Sequence, residues 1–231
     1  NPWIVKNPTF DNYWELMTNA AFQRYFINSV WVTAVTVTLS MTIAILAAFS
    51  LSRMGFKGSQ VLSTGVFLTY LVPPSLLFIP LFQILGWLGL INSTWALVLL
   101  FPTLAVPFCT WIMIGYFSSI PKELDEAATV DGASTWQVIR EVIWPLARPG
   151  LAVTLILTWV FAWNEFLLAA TLTSFNARTI TTGLSEYVTS TGTEWGMMAS
   201  IAIITLIPAL IVFTVVQRHI IAGLTFGAVK E

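Results

Sequence analysis

The chain has 231 residues, of which 57% are hydrophobic and only 9% are charged, and its formal net charge is −1. An ordinary soluble domain carries about 25% charged residues, so the composition excludes an ordinary soluble domain. The near-neutral net charge argues against a nucleic-acid partner. No charged residue occurs between positions 58 and 121, whereas a spanning helix needs only about 20 apolar residues. The long apolar blocks of this sequence differ from the alternating segments of about ten residues that build a membrane β-barrel. The sequence therefore predicts an all-α polytopic membrane protein.

Five hydrophobic blocks predict five spanning helices. We place them at residues 27–51, 61–85, 94–117, 149–171 and 195–217. The second block contains Pro73, Pro74 and Pro80, whose missing N–H groups cost hydrogen bonds that lipid does not replace. Two interpretations stay open for it, a packing kink and a broken helix that lines a pathway. With five spanning helices and the C-terminus in the cytoplasm, as the basic residues described below predict, residue 1 lies outside. This is unusual for a complete protein, so a sixth helix is expected upstream of residue 1.

The distribution of basic residues predicts the orientation of the helices. One side of the membrane would hold seven of them, namely Arg53, Lys57, Lys122, Arg140, Arg148, Arg218 and Lys230, and the other side would hold Lys6, Arg24 and Arg178. Loops rich in Lys and Arg remain in the cytoplasm. The C-terminus is therefore expected in the cytoplasm, and residues 1–26 are expected outside as an aromatic-rich interfacial segment.

The most informative segment is a polar insert at residues 118–148, which holds eight of the chain's 21 charged side chains. Pro121 and the acidic residues after it suit the start of a helix, in which Leu124, Ala127 and Ala128 share a narrow face that allows close approach. A break is predicted at Asp131-Gly132. The insert is longer than an ordinary interhelical loop requires, so we interpret it as a docking element for a soluble partner.

A second helix is predicted after that break. Ser134 and Gln137 have the spacing of a capping box, and Pro145 is expected to end the helix. Its apolar stripe is predicted to consist of Trp136, Ile139, Val142 and Ile143.

Few other residues could carry chemistry. Cys109 lies in an apolar block and is interpreted as a small buried hydrophobe, and His219 as an interfacial residue. The sequence contains no G-x-x-x-x-G-K-[ST] motif for ATP phosphates, no metal-ligand cluster and no Ser/His/Asp set. The chain is therefore predicted not to be an enzyme.

Glu165 is the one charged side chain inside a predicted span, where a carboxylate is costly and must pair, face the interior or be protonated. A structural hydrogen bond, with Asn164 or a neighbouring helix, is the first interpretation. Pathway lining and a proton relay are the alternatives. The segment 173–194 is rich in Thr, Ser and Gly and is predicted to be a solvated outer loop.

The insert resembles the EAA loop of ABC-importer permeases. The resemblance consists of Glu126-Ala127-Ala128, three residues, Gly132, nine residues, an apolar residue and Pro145 three further on. The departures are mild, since Val142 and Trp144 stand where Ile and Leu are commoner. The resemblance implies a type I ABC-importer transmembrane domain, whose insert is a coupling helix seated on an ATP-hydrolysing subunit. The coupling residues would be Glu126, Ala127, Ala128, Asp131, Gly132 and Ala133.

Further motifs are similar to the carbohydrate branch of this family, the maltose/trehalose type. They include Asn12-Tyr13, Asn28-Ser29, Ser52-Arg53, Ile79-Pro80-Leu81, Leu88-Gly89-Leu90, Trp163-Asn164-Glu165-Phe166, Gly223-Leu224-Thr225 and Gly227-Ala228-Val229-Lys230. Trp163, Asn164 and Glu165 are the candidate substrate pathway. The tip Thr189-Ser190-Thr191-Gly192-Thr193-Glu194 is the candidate contact with an external sugar-binding protein.

The resemblance covers nearly the whole chain and implies a single domain, residues 1–231. Its parts would be an external segment 1–26, spanning helices 27–117, the cytoplasmic loop 118–148, spanning helices 149–217 with the external loop 173–194, and a cytoplasmic tail 218–231. The implied partners are a second permease, two ATP-binding cassette subunits, a sugar-binding protein, membrane lipid and the sugar. ATP and Mg²⁺ would belong to the partner subunits, and the location would be a bacterial or archaeal cytoplasmic membrane.

Two classes compete with a sugar importer. A secondary transporter or channel acting without an ATPase would show internal repeats and several membrane-embedded ionisable groups, whereas only Glu165 is seen. An intramembrane enzyme would need paired catalytic groups in the spans, and none is evident. An ABC importer of a non-sugar solute also stays open, and the particular sugar is not specified by the sequence.

Overall fold

A computed structural model describes residues 9–189 and 192–227 of the chain. Eleven α-helices are assigned in it, namely α1 (Asp11–Thr18), α2 (Ala20–Arg53), α3 (Ser59–Tyr70), α4 (Pro74–Trp87), α5 (Thr94–Ser119), α6 (Glu123–Val130), α7 (Thr135–Gln137), α8 (Trp144–Asn164), α9 (Leu167–Leu172), α10 (Ile180–Gly183) and α11 (Trp195–Gly227). A π-helical segment (Val138–Ile143) joins α7 to α8, and β1 (Val188–Thr189) pairs antiparallel with β2 (Gly192–Thr193).

Five membrane crossings are compatible with these helices, as predicted. Four helical stretches of the described chain are long and apolar enough to span alone, at 20–53, 94–119, 135–164 and 195–219, and the bent pair α3 and α4 supplies a fifth. The fold class predicted from composition is therefore confirmed.

Many of the buried residues of α2, α5 and α8 are small. They are Ser29, Thr33, Thr36, Ser40, Ala44 and Ala48 of α2, Ala96, Ala105, Cys109 and Thr110 of α5, and Ala147, Gly150, Ala152, Thr154, Thr158 and Ala162 of α8. Small residues let helix backbones approach closely, which is how membrane helices associate without a hydrophobic driving force. Cys109 is buried here as predicted, 2.9 Å from the Thr158 hydroxyl.

The helix that contains the first predicted span begins before residue 27, at Ala20. Asn19 caps it, since its side-chain oxygen accepts from the amides of Ala21 (2.9 Å) and Phe22 (3.3 Å). Polar residues in the first two turns hid this start from hydropathy. The preceding α1 buries Leu16 completely in a cluster with Phe22, so part of the predicted interfacial segment is core.

The second predicted span, 61–85, is two helices rather than one. The axes of α3 and α4 differ by 92° at residues 71–73. A proline disfavours helical backbone at the residue before it and offers no N–H, so Pro73 is extended and Pro74 begins α4. The structure thus favours the broken helix over the kink. Pro80 lies inside α4 without ending it.

The fourth predicted span, 149–171, differs at both ends. Helical structure is continuous from Thr135 to Asn164, so Pro145 does not end a helix. Upstream of this proline the helix widens to π geometry, and the Trp144 amide bonds to the Ile139 carbonyl five residues back. At its other end α8 stops at Asn164, and the short α9 follows after two non-helical residues.

Candidate functional site

The polar insert folds into the predicted helix, turn and helix. Three acidic residues occupy the first turn of α6, where the helix dipole favours negative charge. Gly132 has a positive φ of 86°, which an L-residue adopts only with strain. Ser134 and Gln137 form the capping box, with the Ser134 amide donating to Gln137 Oε1 at 2.8 Å. Local sequence signals therefore specified the backbone of this segment correctly.

The insert presents a smaller outward face than the sequence indicated. Ala127, Glu126, Asp131 and Gly132 are exposed, together with Leu124 and Val130. Ala128 and Ala133 instead pack against an apolar cluster that includes Phe117, Val138 and Ile143. Of the predicted coupling residues, four therefore face outward and two hold the insert onto its own helices.

The predicted stripe of the second helix is wrong at one position, Trp136, and it omits Val138. Trp136 is 67% exposed, whereas Val138 is buried. The π-helical turn between residues 138 and 143 changes the angle per residue, so a 3.6-residue period does not describe the buried side. Ile143 is buried, and Ile139 and Val142 are half-buried, as the stripe required.

Sequence analysis used Arg53 as a basic loop residue and as part of the Ser52-Arg53 motif, but it missed the structural role of this side chain. The Arg53 guanidinium lies 2.9 Å from a carboxylate oxygen of Asp125 in α6. It also donates to the carbonyls of Phe117 (2.6 Å) and Ile120 (2.7 Å) at the end of α5. These four residues, here called the Arg53 junction, join the insert to two spanning helices.

The segment 173–187 lies at the opposite end of the bundle and is packed rather than solvated. Ala177, Thr179, Ile180 and Thr182 are buried. The Ile180 amide donates to Ser29 Oγ at 2.8 Å, and Asn28 donates to the carbonyls of Asn176 and Arg178, each at 2.9 Å. Its polar backbone groups are therefore satisfied by the start of α2, which a composition rich in Thr and Ser does not reveal.

The predicted contact tip is only partly visible. Ser190 and Thr191 lie outside the described residues. The backbone of Thr189 pairs with Gly192 in the short hairpin, and Thr193 pairs with Val188. Glu194 is exposed, and its amide donates to the Tyr187 carbonyl at 3.1 Å. Burial raises the pKa of the Tyr187 phenol, and the charges of Glu186, Glu15 and Glu194 raise it further. The Tyr187 phenol is therefore neutral at physiological pH, and the neighbouring Glu186 is paired with Arg178.

The residues Trp163, Asn164 and Glu165 do not converge on one point. Trp163 is buried and stacks on Trp159 with ring centroids 5.0 Å apart. Asn164 is exposed and donates to the Val160 carbonyl of its own helix at 2.9 Å, rather than to Glu165. Glu165 accepts from the Leu168 amide at 3.0 Å. A carboxylate oxygen at the start of a helix satisfies an orphan amide, so Glu165 organises the break between α8 and α9.

A cavity of about 760 Å³ opens where the second span is broken. Tyr70 and Pro73 at the break line it together with Phe108 of α5, whose ring centroid lies 5.1 Å from that of Tyr70, and with Phe161 of α8. Thr69 and Thr103 also line it, and their hydroxyls donate to the Val66 and Leu99 carbonyls of their own helices. Backbone interrupted at membrane depth is tolerated where it lines such a cavity. The cavity lies beside residues 157–161 but does not include the predicted pathway residues 163–165.

The described chain is thus a bundle of candidate spanning helices with a folded polar insert at one end. The chain belongs to the family described as binding-protein-dependent transport system inner membrane component, which residues 40–225 match.

Similar proteins of known transport systems span nearly the whole chain. The trehalose transport system permease protein SugB of Mycobacterium tuberculosis is 36% identical over 98% of this chain and 84% of its own length. The trehalose/maltose transport system permease protein MalG of Thermococcus litoralis is 32% identical over 100% of this chain and 84% of its own length.

Solved structures share the fold. A chain of a bacterial ABC transporter that imports the acidic polysaccharide alginate superposes with a TM-score of 0.76 at 24% identity, covering 90% of this chain and 79% of the other. A chain of the MetNI methionine ABC transporter gives a TM-score of 0.67 at 17% identity, covering 94% and 99%. The type I importer architecture predicted from the EAA-like insert is confirmed.

Proposed function

We propose that this chain is the permease subunit of an ATP-driven sugar importer. It passes a sugar from an external binding protein into the cytoplasm, next to a second permease subunit, while two separate ATPase subunits hold ATP and Mg²⁺. The observation that carries this proposal is the exposed α6 face around Ala127, fixed by the capping box and by Gly132 on a folded insert. A small-residue face outside the membrane suits close docking of a soluble partner.

Two observations support a sugar as the cargo. The two relatives described above are permeases of a trehalose system and a trehalose/maltose system. The cavity at the helix break is lined by the aromatic residues Tyr70, Phe108 and Phe161 and by threonine residues. Aromatic faces and hydroxyl groups are the complement of a carbohydrate, which has apolar C–H faces and a hydroxylated rim. We therefore propose that the pathway runs through this cavity, whose lining leaves out Trp163, Asn164 and Glu165.

The carboxylate of Glu165 distinguishes an ATP-driven importer from a proton-driven transporter. Because Glu165 caps a helix start, Glu165→Gln keeps an acceptor oxygen and should retain most of the uptake. Glu165→Leu removes the acceptor and should cost about 1–2 kcal/mol of stability. Trehalose and maltose uptake would be measured in vesicles that contain the second permease and the ATPase subunits, at fixed internal ATP, with and without a proton gradient. Uptake should require ATP and ignore the gradient.

The same assay identifies the competing class. If uptake collapses with the gradient at constant ATP, and Glu165→Gln is as inactive as Glu165→Leu, the chain is a secondary transporter. Uptake of neither sugar, with ATP hydrolysis still stimulated by a loaded binding protein for another solute, would instead identify an importer of that solute.

The orientation of the bundle gives a second prediction, in which the insert faces the cytoplasm and the 173–187 segment faces outward. Lys122 and Phe175 are both exposed and lie at opposite ends. In a Cys109→Ser background, which replaces the thiol by a hydroxyl that can still hydrogen-bond to Thr158, an impermeant thiol reagent added to intact cells should label Phe175→Cys and spare Lys122→Cys. Permeabilised cells should label both, which controls for accessibility. Labelling of position 122 in intact cells would reverse the orientation.

A further inference from the structure

Arg53 is the last residue of α2, and its side chain is only 4% exposed. A guanidinium group has five N–H donors in a fixed plane, and here two of its nitrogens are used on two different elements. One donates to Asp125 in α6 at 2.9 Å, and the other donates to the Phe117 and Ile120 carbonyls at the end of α5. Three helices therefore meet at one side chain.

The chemistry of the contact suits this position. The last carbonyls of a helix lack intrahelical partners and carry partial negative charge, so a cation there stabilises the end of α5. The Asp125 carboxylate neutralises the rest of the charge and is 23% exposed. The first turn of α6 is thereby held at a fixed distance from α2 and α5.

The Arg53 junction is not arranged for maximal stability. Arg53 Nε and Asp125 Oδ1 are buried and have no hydrogen-bond partner among residues 9–189 and 192–227. A buried ion pair with incomplete hydrogen bonding contributes little net stability, because desolvation offsets the attraction. An apolar pair could fill the same volume, so the value of the junction lies in fixing geometry.

We propose that Arg53 is a positioning residue that fixes α6 relative to α2 and α5, so that movement of the insert is transmitted into the membrane. The inference rests on the proposed coupling function of the insert. Ala128 and Ala133 pack α6 onto the cluster around Phe117, but apolar contacts permit sliding. The directional hydrogen bonds of Arg53 do not, since they weaken steeply when they are misaligned.

One experiment measures the position of α6 directly. Spin labels at Met54→Cys and Val130→Cys, two exposed sites on either side of the junction, would report the distance between the end of α2 and α6 in the purified chain with Cys109→Ser. Asp125→Asn and Arg53→Met should broaden the distance distribution, whereas Glu123→Gln should not. Glu123 is the matched control, because it is an exposed acid in the same turn.

A second measurement tests transmission in the assembled complex. Asp125→Asn should keep basal ATP hydrolysis per complex and lower sugar uptake per ATP hydrolysed about tenfold, the effect of losing one charge-assisted hydrogen bond. Arg53→Lys keeps the charge without the planar fork and should give an intermediate value. Asp125→Glu should restore part of the uptake per ATP hydrolysed, because it returns a carboxylate acceptor for the Arg53 guanidinium.

The outcomes separate the two proposals. An unchanged distance distribution in Asp125→Asn, or a loss confined to complex yield with uptake per ATP unchanged, overturns the role of Arg53. The coupling function fails separately if the wild-type chain does not bind the ATPase subunits. If Asp125→Asn still broadens the distance distribution in that case, Arg53 remains the residue that positions α6.

Discussion

Ala127→Arg should abolish sugar uptake and the stimulated part of ATP hydrolysis while leaving the amount of folded protein in the membrane unchanged. Ala127 is exposed on α6, so a longer side chain meets no neighbour within the chain. At a docked surface, however, the guanidinium would be buried without a partner, which costs about 2–5 kcal/mol and weakens binding by about 30-fold or more. Uptake, stimulated hydrolysis and co-purification of the ATPase subunit would be measured on the same preparations.

Two control variants make the result specific. Ala127→Ser adds one small polar atom at the same position and should behave as wild type. Ala128→Arg is the less selective variant, because Ala128 packs against the chain's own core and the substitution should also reduce the yield of folded protein. Full stimulated hydrolysis in well-expressed Ala127→Arg would show that α6 is not the docking face.

Ala127 and Ala128 show which features of the insert could be predicted from the sequence and which could not. Charge, capping and turn signals act within a few residues, so they predicted α6, the Gly132 turn and the Ser134 cap correctly. The two alanines differ only in what lies opposite them, namely the cluster around Phe117. That contact depends on how α5 and the π-helical segment pack, and no local pattern encodes it.

Average hydropathy also does not reveal where the spanning helices are interrupted. A window of about 20 residues averages over the two non-helical positions at Glu165 and Phe166, since these are flanked by apolar helices on both sides. The prolines of the second span were visible, but a kink and a 92° break need the same residues. Which one forms is decided by whether neighbouring helices leave a cavity for the open backbone.

The Arg53 junction was beyond sequence analysis for a different reason. Arg53 and Asp125 are 72 residues apart, and each has an ordinary local role, as a basic loop residue and as an acidic residue in a first turn. Only the packing of α2 against α5 brings them together.

Gly150→Ala should destabilise the protein, and it should do so more than the matched substitution Gly115→Ala. Gly150 is buried in α8, and an added Cβ would lie 2.3–2.6 Å from three ring atoms of Tyr116 in α5. Those atoms include Cγ, at the base of the side chain, so the ring cannot move aside without a change of rotamer. Overpacking of this kind costs about 1–3 kcal/mol. The midpoint of thermal unfolding of the purified protein in detergent should therefore fall.

Gly115→Ala is the matched control, since nothing lies within 4 Å of its added Cβ and it also sits in a spanning helix. It should be neutral or stabilising, because alanine favours helix by about 1 kcal/mol over glycine. Adding Tyr116→Ala to Gly150→Ala should recover part of the loss, giving a non-additive pair. Equal unfolding midpoints for Gly150→Ala and Gly115→Ala would contradict the close approach of α5 and α8. That approach matters beyond stability, because α8 continues directly from the insert, and this contact holds the helix that carries the insert against α5.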